Sequence, residues 1–219
     1  MAKGVATVER VEIKAPNIKS VIIDIIGSSP LVENKFSAKA KQDIIAKQTA
    51  GSTSRSKKTR ESKDFDKLYE DAIHQANEGW YGIPAPAFRS AMISACRLVG
   101  YVMTRAKLAI FVLPDGFDKD DRTPLVRITK GEPSRFDAAV RLETGVCDIR
   151  SRPMWEPGWE ATVRIEFDAD QLTTKDIYNL LYRAGKQIGI LEGRPDSKKS
   201  NGQGWGLFDL VTKLSEEVN

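Results

Sequence analysis

The stretch DIRSRPMWEPGW, residues 148 to 159, sets Arg150 and Arg152 beside Trp155 and Trp159. Guanidinium groups pair with phosphate and indoles stack on bases, so this combination has the chemistry of a single-strand nucleic-acid surface. Core packing or a subunit contact explains the tryptophans slightly better than stacking does, and Trp80, Tyr81 and Trp205 carry the same two readings. Further cations cluster in GSTSRSKKTRESKD, residues 51 to 64, through Arg55, Lys57, Lys58 and Arg60, and in GRPDSKKS through Arg194, Lys198 and Lys199. Arg89 opens an otherwise apolar helical stretch, where the helix dipole favours an anion over a cation. It reads either as an anion-binding group or as an ordinary solvent-facing one.

Catalytic chemistry finds less support in these residues. His74 is the only histidine, and Cys96 and Cys147 are the only cysteines, so no zinc-ligand spacing exists. His74 reads as a surface or packing residue. Asp118, Asp120 and Asp121 could bind magnesium, but a KDD turn is ordinarily solvent-facing charge. The glycine-rich carboxyl region lacks the GK[ST] ending of a phosphate-binding loop. No Ser-His-Asp or Cys-His nucleophile is identifiable. The expectation is a protein that is not an enzyme and carries no cofactor and no metal.

Composition sets the outer limits. A chain of 219 residues, 41% hydrophobic, can bury a substantial core as one decorated domain. The 34 lysines and arginines against 30 acids leave a formal charge of +4, too small a bias to name a partner without local clustering. Two isolated cysteines read as reduced thiols, the start MAKGVATVER has no apolar signal core, and no apolar run reaches membrane-spanning length. These features predict a soluble, cytoplasmic protein with no membrane partner.

The elements that must position these residues follow from periodicity. SVIIDIIG (20–27) reads as a buried strand closed by a turn, and KLAIFVLP (107–114) as another. EATVRIEFD (160–168) alternates, with Ala161, Val163, Ile165 and Phe167 on one face. PLVRITKGEP (124–133) and AAVRLETGV supply further strands, and GWGLFDLVTKL (204–214) a terminal one. LVENKFSAKAKQDIIAKQT contains a short helix, and DFDKLYEDAIHQA (64–76) regains helical spacing. From Phe88 onward, Ala91, Met92, Ala95, Leu98 and Val99 share a helical face, with Pro86 in the first turn, where it removes no interior hydrogen bond. Thr173 caps a second helix, three residues before Asp176, whose stripe is Ile177, Leu180, Leu181, Ala184 and Ile188. Residues 47–64 read as a flexible basic insertion, since so polar a run cannot offset the entropy of packing. The order predicts an α+β fold, a ferredoxin-like or RRM-like β-α-β-β-α-β core with long insertions.

Three segments resemble the Cas7-like or RAMP superfamily. SVIIDIIGSSPLVENKFS resembles its first strand and following loop. GIPAPAFRSAMISACR is similar to its loop-to-helix segment through Ile83, Pro84, Phe88, Arg89, Ala91 and Ala95. GILEGRPDSKKSNGQGWGLF looks like a relaxed form of its glycine-rich loop, carried by Gly189, Gly193, Arg194, Gly202, Gly204 and Gly206. Pro86 and Ala87, and the polar run Asp196 to Ser200, depart from that pattern. The resemblance implies a single decorated Cas7-like domain over 1–219, with a glycine-rich loop at 189–206, encoded by a phage or mobile element. It implies non-catalytic binding of single-stranded RNA or ssDNA, RNA favoured, as a homo-oligomer or filament. Structural assembly without nucleic acid, or service as the accessory subunit of a nuclease or effector partner, are the alternatives.

Overall fold

The computed structural model describes residues 13–36, 38–49, 62–141, 145–197 and 202–211. In chain order these form β1 (Ile18–Gly27), β2 (Leu31–Val32), α1 (Ala38–Thr49), α2 (Phe65–Asp71), β3 (Gly82–Pro84), α3 (Ala85–Ala95) and a 3-10 turn (Cys96–Val99). They continue with α4 (Met103–Ala109), β4 (Ile110–Leu113), β5 (Gly116–Phe117), β6 (Pro124–Lys130), β7 (Ser134–Arg141) and β8 (Cys147–Trp155). Last come β9 (Glu160–Asp168), α5 (Thr174–Arg183), a π turn (Ala184–Ile188) and β10 (Phe208–Leu210). Among these described residues no helix is long and apolar enough to cross a membrane.

The molecule is a mixed α and β fold with two antiparallel sheets. β9 is the centre of the larger one because its alternation is strict: Ala161, Val163, Ile165 and Phe167 are buried while Arg164 between them is exposed. β1 runs along one edge of β9, from Ile18 opposite Asp168 to Ile26 opposite Glu160. The other edge is shared, with β4 pairing at Val112 opposite Ile165 and β6 at Ile128 opposite Ala161. β10 flanks β1, and β3 and β5 both pair with β6. The smaller sheet runs β2-β8-β7.

Helices α3 and α5 cover one face of the larger sheet. Phe88, Met92 and Ala95 of α3 and Ile177, Leu180 and Leu181 of α5 join Ile23, Ile25, Val163 and Ile165 in one core. Each large side chain buried there contributes about 1.5–3 kcal/mol relative to exposure. The helix expected from Phe88 begins earlier, at Ala85, because Pro86 fits the first turn and costs no hydrogen bond. Leu98 and Val99 leave the expected stripe and are half exposed. The tighter 3-10 winding from Cys96 onward shifts their phase.

Other boundaries also move. Helical winding from Phe65 ends at Asp71, and residues 72–76 turn inward instead. The strand expected over 107–114 is helix as far as Ala109, because Ala106 and Ala109 pack into the core. The terminal strand is three residues long. DIRSRPMW, read as a surface segment, is most of β8, and Pro153 within it disguises the strand.

The cap of α5 is as expected. Thr173 Oγ1 accepts from the Asp176 N–H at 3.2 Å, and Asp176 Oδ2 accepts from the Thr173 N–H at 2.9 Å. Thr173→Ala should lower the unfolding free energy by about 1 kcal/mol, or about 3 °C in Tm for a chain of this size. Past the helix, a Cβ on Gly185 would lie 2.3 Å from the Phe208 carbonyl oxygen, so glycine is what lets β10 approach the π turn. Gly185→Ala should therefore cost more than the cap, about 3 kcal/mol. Thermal unfolding of the two variants side by side checks both the sizes and their order.

Candidate nucleic-acid interface

β7 and β8 form a hairpin in continuous register from Ser134 opposite Met154 to Arg141 opposite Cys147. Since side chains alternate, Arg150 and Arg152 share a face with the residues opposite them, Ala138 and Phe136. Both arginines are half-buried. The glycine-rich loop docks on that face. Trp205 meets Phe136 edge to face with ring centroids 5.6 Å apart, and Arg152 Nε donates to Glu192 Oε2 at 3.0 Å.

The loop can fold this tightly because of two glycines. Gly193 has φ of +74°, and a Cβ there would sit 2.3 Å from the Trp205 ring. Gly206 has φ of +70°, and a Cβ there would sit 1.9 Å from the Ile190 carbonyl oxygen. The Trp205 N–H donates to the Gly193 carbonyl at 3.2 Å and the Ile190 N–H to Gly206 at 3.0 Å, which closes the loop on itself. Arg194 spends its guanidinium inside the loop, donating to the carbonyls of Leu191 at 2.8 Å and Asp196 at 3.1 Å. Trp205 stays half-buried at the loop surface.

The remaining expected residues are scattered. Arg89 Nε donates to the Ile110 carbonyl at 2.8 Å, its Nη2 donates to the Lys107 carbonyl at the end of α4, and its guanidinium lies 5.7 Å from the Phe111 ring centroid. Trp155 and Trp159 are entirely buried. Neither indole presents a face to a base, so packing is the role that the structure gives them. Arg55, Lys57, Lys58, Arg60, Lys198 and Lys199 lie outside the described residues. Phe136 and Glu192 escaped the sequence reading, and only the alternation in SRFDAAVR hinted at the first.

A second polar group of residues is internal. Asp118, read as a solvent-facing turn residue, is fully buried, and His74 and Lys35 are nearly so. Lys35 Nζ lies 2.7 Å from Asp118 Oδ1 and 2.6 Å from Asp120 Oδ2, and His74 Nδ1 lies 3.0 Å from Asp118 Oδ2. Burial alone would raise the Asp118 pKa. Lys35, His74 and the backbone N–H groups of Asp120 and Asp121 instead bring it down to about 2. Burial depresses His74 more than its bond to Asp118 restores, so its neutral form is favoured. His74, Asp118 and Asp121 offer donor atoms within 4.8 Å of one another, a spacing that could hold a metal. The Lys35 ammonium against the same Asp118 carboxylate already supplies a cation there, which opposes a second one.

A cleft of about 680 Å³ lies elsewhere, beside α5, lined by Tyr101, Asn179, Tyr182 and Arg183 among others. It includes none of the binding residues expected from the sequence.

No protein-family model matches the sequence, and no curated protein matches it. Among solved structures, the chain is similar to the crystal structure of Cmr6 from Pyrococcus furiosus, at 10% identity and a TM-score of 0.40, over 88% of this chain and 98% of that one.

Glu33 gives the internal cluster a pH signature. It is fully buried, its Oε2 accepts from the His74 N–H at 3.0 Å, and burial holds its carboxyl well above the usual range. Above an ordinary glutamate pKa of about 4.3 the unfolded chain releases this proton while the folded chain keeps it. The native state therefore loses stability as pH rises toward the buried group's own pKa. Glu33→Gln removes that loss, so its advantage over the parent in urea unfolding should be larger at pH 7.5 than at pH 4.5. An equal difference at both pH values would mean that Glu33 is ionised in the native state.

Proposed function

We propose that this protein binds single-stranded nucleic acid without cleaving it, with RNA favoured over ssDNA, as one subunit of an oligomer or filament. One observation carries the reading. The β7–β8 hairpin and the glycine-rich loop, 40 residues apart at Arg152 and Glu192, meet through that ion pair and through Trp205 on Phe136. In this reading Arg150 supplies the cation and the half-buried Trp205 indole the stacking face that a single strand needs, while Arg152 and Arg194, held by Glu192 and by loop carbonyls, brace them. Lys198 and Lys199, within the same loop by sequence, add to its positive charge.

The fold supports the same reading at a finer level. Taking β1, β4, β9 and β10 as the core, α3 falls between the first two and α5 between the last two, with the sheet order β10-β1-β9-β4. We read this as a version of the ferredoxin-like arrangement that the resemblance to Cas7-like proteins implies, with β3, β5 and β6 added to it. The preference for RNA rests on that resemblance alone.

A structural assembly role is the second reading, favoured by Leu98, Val99 and Val102, about half exposed, and Leu108, 80% exposed. Exposed apolar side chains of this kind fit a subunit contact. Polymers that form without nucleic acid, seen by analytical ultracentrifugation together with no strand binding, would move that reading to first place.

Fluorescence anisotropy with labelled 30-base RNA, ssDNA and a duplex control, at two salt concentrations, tests the proposal. Tight binding to a single strand that weakens with salt is expected. Arg150→Gln should weaken it and reduce the slope of log K against log salt by about 0.7, the loss of one phosphate contact. Absence of binding at both salt concentrations would overturn the reading.

A further inference from the structure

The larger sheet has a second face, turned away from α3 and α5. Register and alternation place Ile22 of β1, Arg164 and Glu166 of β9, Phe111 and Leu113 of β4, and Arg127 of β6 on it. Ile22 is 58% and Phe111 42% exposed, so the face meets solvent with apolar and aromatic groups.

Trp80 lies on the same face, and the sequence around it is shaped to hold it. A Cβ on Gly82 would stand 2.8 Å from the indole Cζ3, and one on Gly116 would stand 2.8 Å from Cζ2. The indole therefore rests directly on the backbone of β3 and β5. The Arg127 guanidinium lies 5.9 Å from the ring centroid. Across the face, the Arg89 guanidinium lies 5.7 Å from the Phe111 ring centroid. Neither arginine forms an ion pair with a carboxylate among the described residues. Between the two stacks, Arg164 pairs with Asp115 at 2.7 Å, which cancels that acid. Glu166, opposite Phe111, and Asp24, two positions from Ile22, are further acids on this face.

From these contacts we infer that the outer sheet face is a second track for a single strand, on which bases lie against Phe111 and Trp80 and phosphates meet Arg89 and Arg127. The inference rests on the single-strand reading above and assigns it a surface distinct from the hairpin and loop. Planar guanidinium on aromatic, twice along one strip, matches the alternation of base planes and phosphates. The aromatics are fixed by the sheet before any strand arrives, so little ordering is lost on binding.

Photo-crosslinking of the full chain with a 30-base strand carrying 5-iodouracil, followed by peptide mapping, separates the surfaces. Crosslinks at Trp80 or Phe111 are expected in addition to those near Trp205. Arg127→Gln and Phe111→Ala, both at exposed side chains, should each weaken binding about five-fold or more. If the 30-base strand binds but crosslinks stay at the hairpin and loop, and both variants bind like the parent, the outer track is wrong and the function stands. If Phe111→Ala alters sedimentation of the free protein and leaves binding intact, the face is a subunit contact and the track is again wrong. If no strand binds the parent protein, the functional reading itself fails and takes the track with it.

Discussion

Trp159 is the pin on which the rest of the architecture hangs. Its indole fills the space above Gly27, where a Cβ would come within 2.0 Å of Nε1, and Nε1 donates to the Ser29 carbonyl at 3.0 Å. Its own carbonyl accepts from the Gly27 N–H at 2.7 Å. The ring meets Phe208 edge to face at 6.3 Å, and Phe208 meets Phe88 in the same way at 5.9 Å. One side chain thus couples the end of β1, the start of β9, the edge strand β10 and the first turns of α3. A donor with one fixed acceptor and a ring with two fixed neighbours allows little freedom in how these elements meet. The requirement for glycine at 27 is the backbone's share of that constraint.

From that pin the chain runs through Leu31 and Val32 into the smaller sheet, and there a second constraint takes over. Leu31 pairs with Trp155, the Glu33 N–H donates to the Pro153 carbonyl at 3.1 Å, and Lys35 reaches Asp118 across the molecule. The orientation of the hairpin against the larger sheet is set by this short segment. Burying Lys35 and Asp118 in one pair costs solvation for both, and the bonds from His74, Gln75, Asp120 and Asp121 compensate by satisfying the carboxylate on all sides. Such a pair contributes less to net stability than to fixing one geometry. What it fixes here is the place of Arg150 and Arg152.

Most of the main sheet was legible because its signals are local. The alternation of β9, the apolar run of β1, the Pro86 start of α3 and the Thr173 cap all depend on residues within a few positions of one another. What escaped depends on distant partners. Asp118 looks like a surface turn until Lys35 and His74 arrive from the other end of the chain. Packing is the better reading of Trp155 and Trp159 in the sequence, but that β2 and Gly27 are what close over them is not legible there. Leu98 and Val99 fit a helical stripe that the 3-10 turn breaks. The arginines and glycines of the interface were recognised by type. Their meeting at Phe136 and Glu192 was not, because no spacing in a sequence reports a contact between a hairpin and a loop.

The small formal charge conceals an uneven distribution of charge in space. Arg135 is bound by Asp66 and Asp137, Arg97 by Asp196 and Lys130 by Glu160, so these cations contribute little field beyond their own pairs. Arg89, Arg127 and Arg150 form no such pairs among the described residues, and each belongs to one of the two proposed surfaces. Arg89 and Arg127 rest on aromatic rings, which hold a guanidinium in place without neutralising it. A net charge of +4 would describe a weak and general attraction if it were spread evenly. On the proposed surfaces the fixed guanidinium planes beside Phe111 and Trp80 would make part of that excess directional, and it is direction rather than total charge that a strand of alternating bases and phosphates would read.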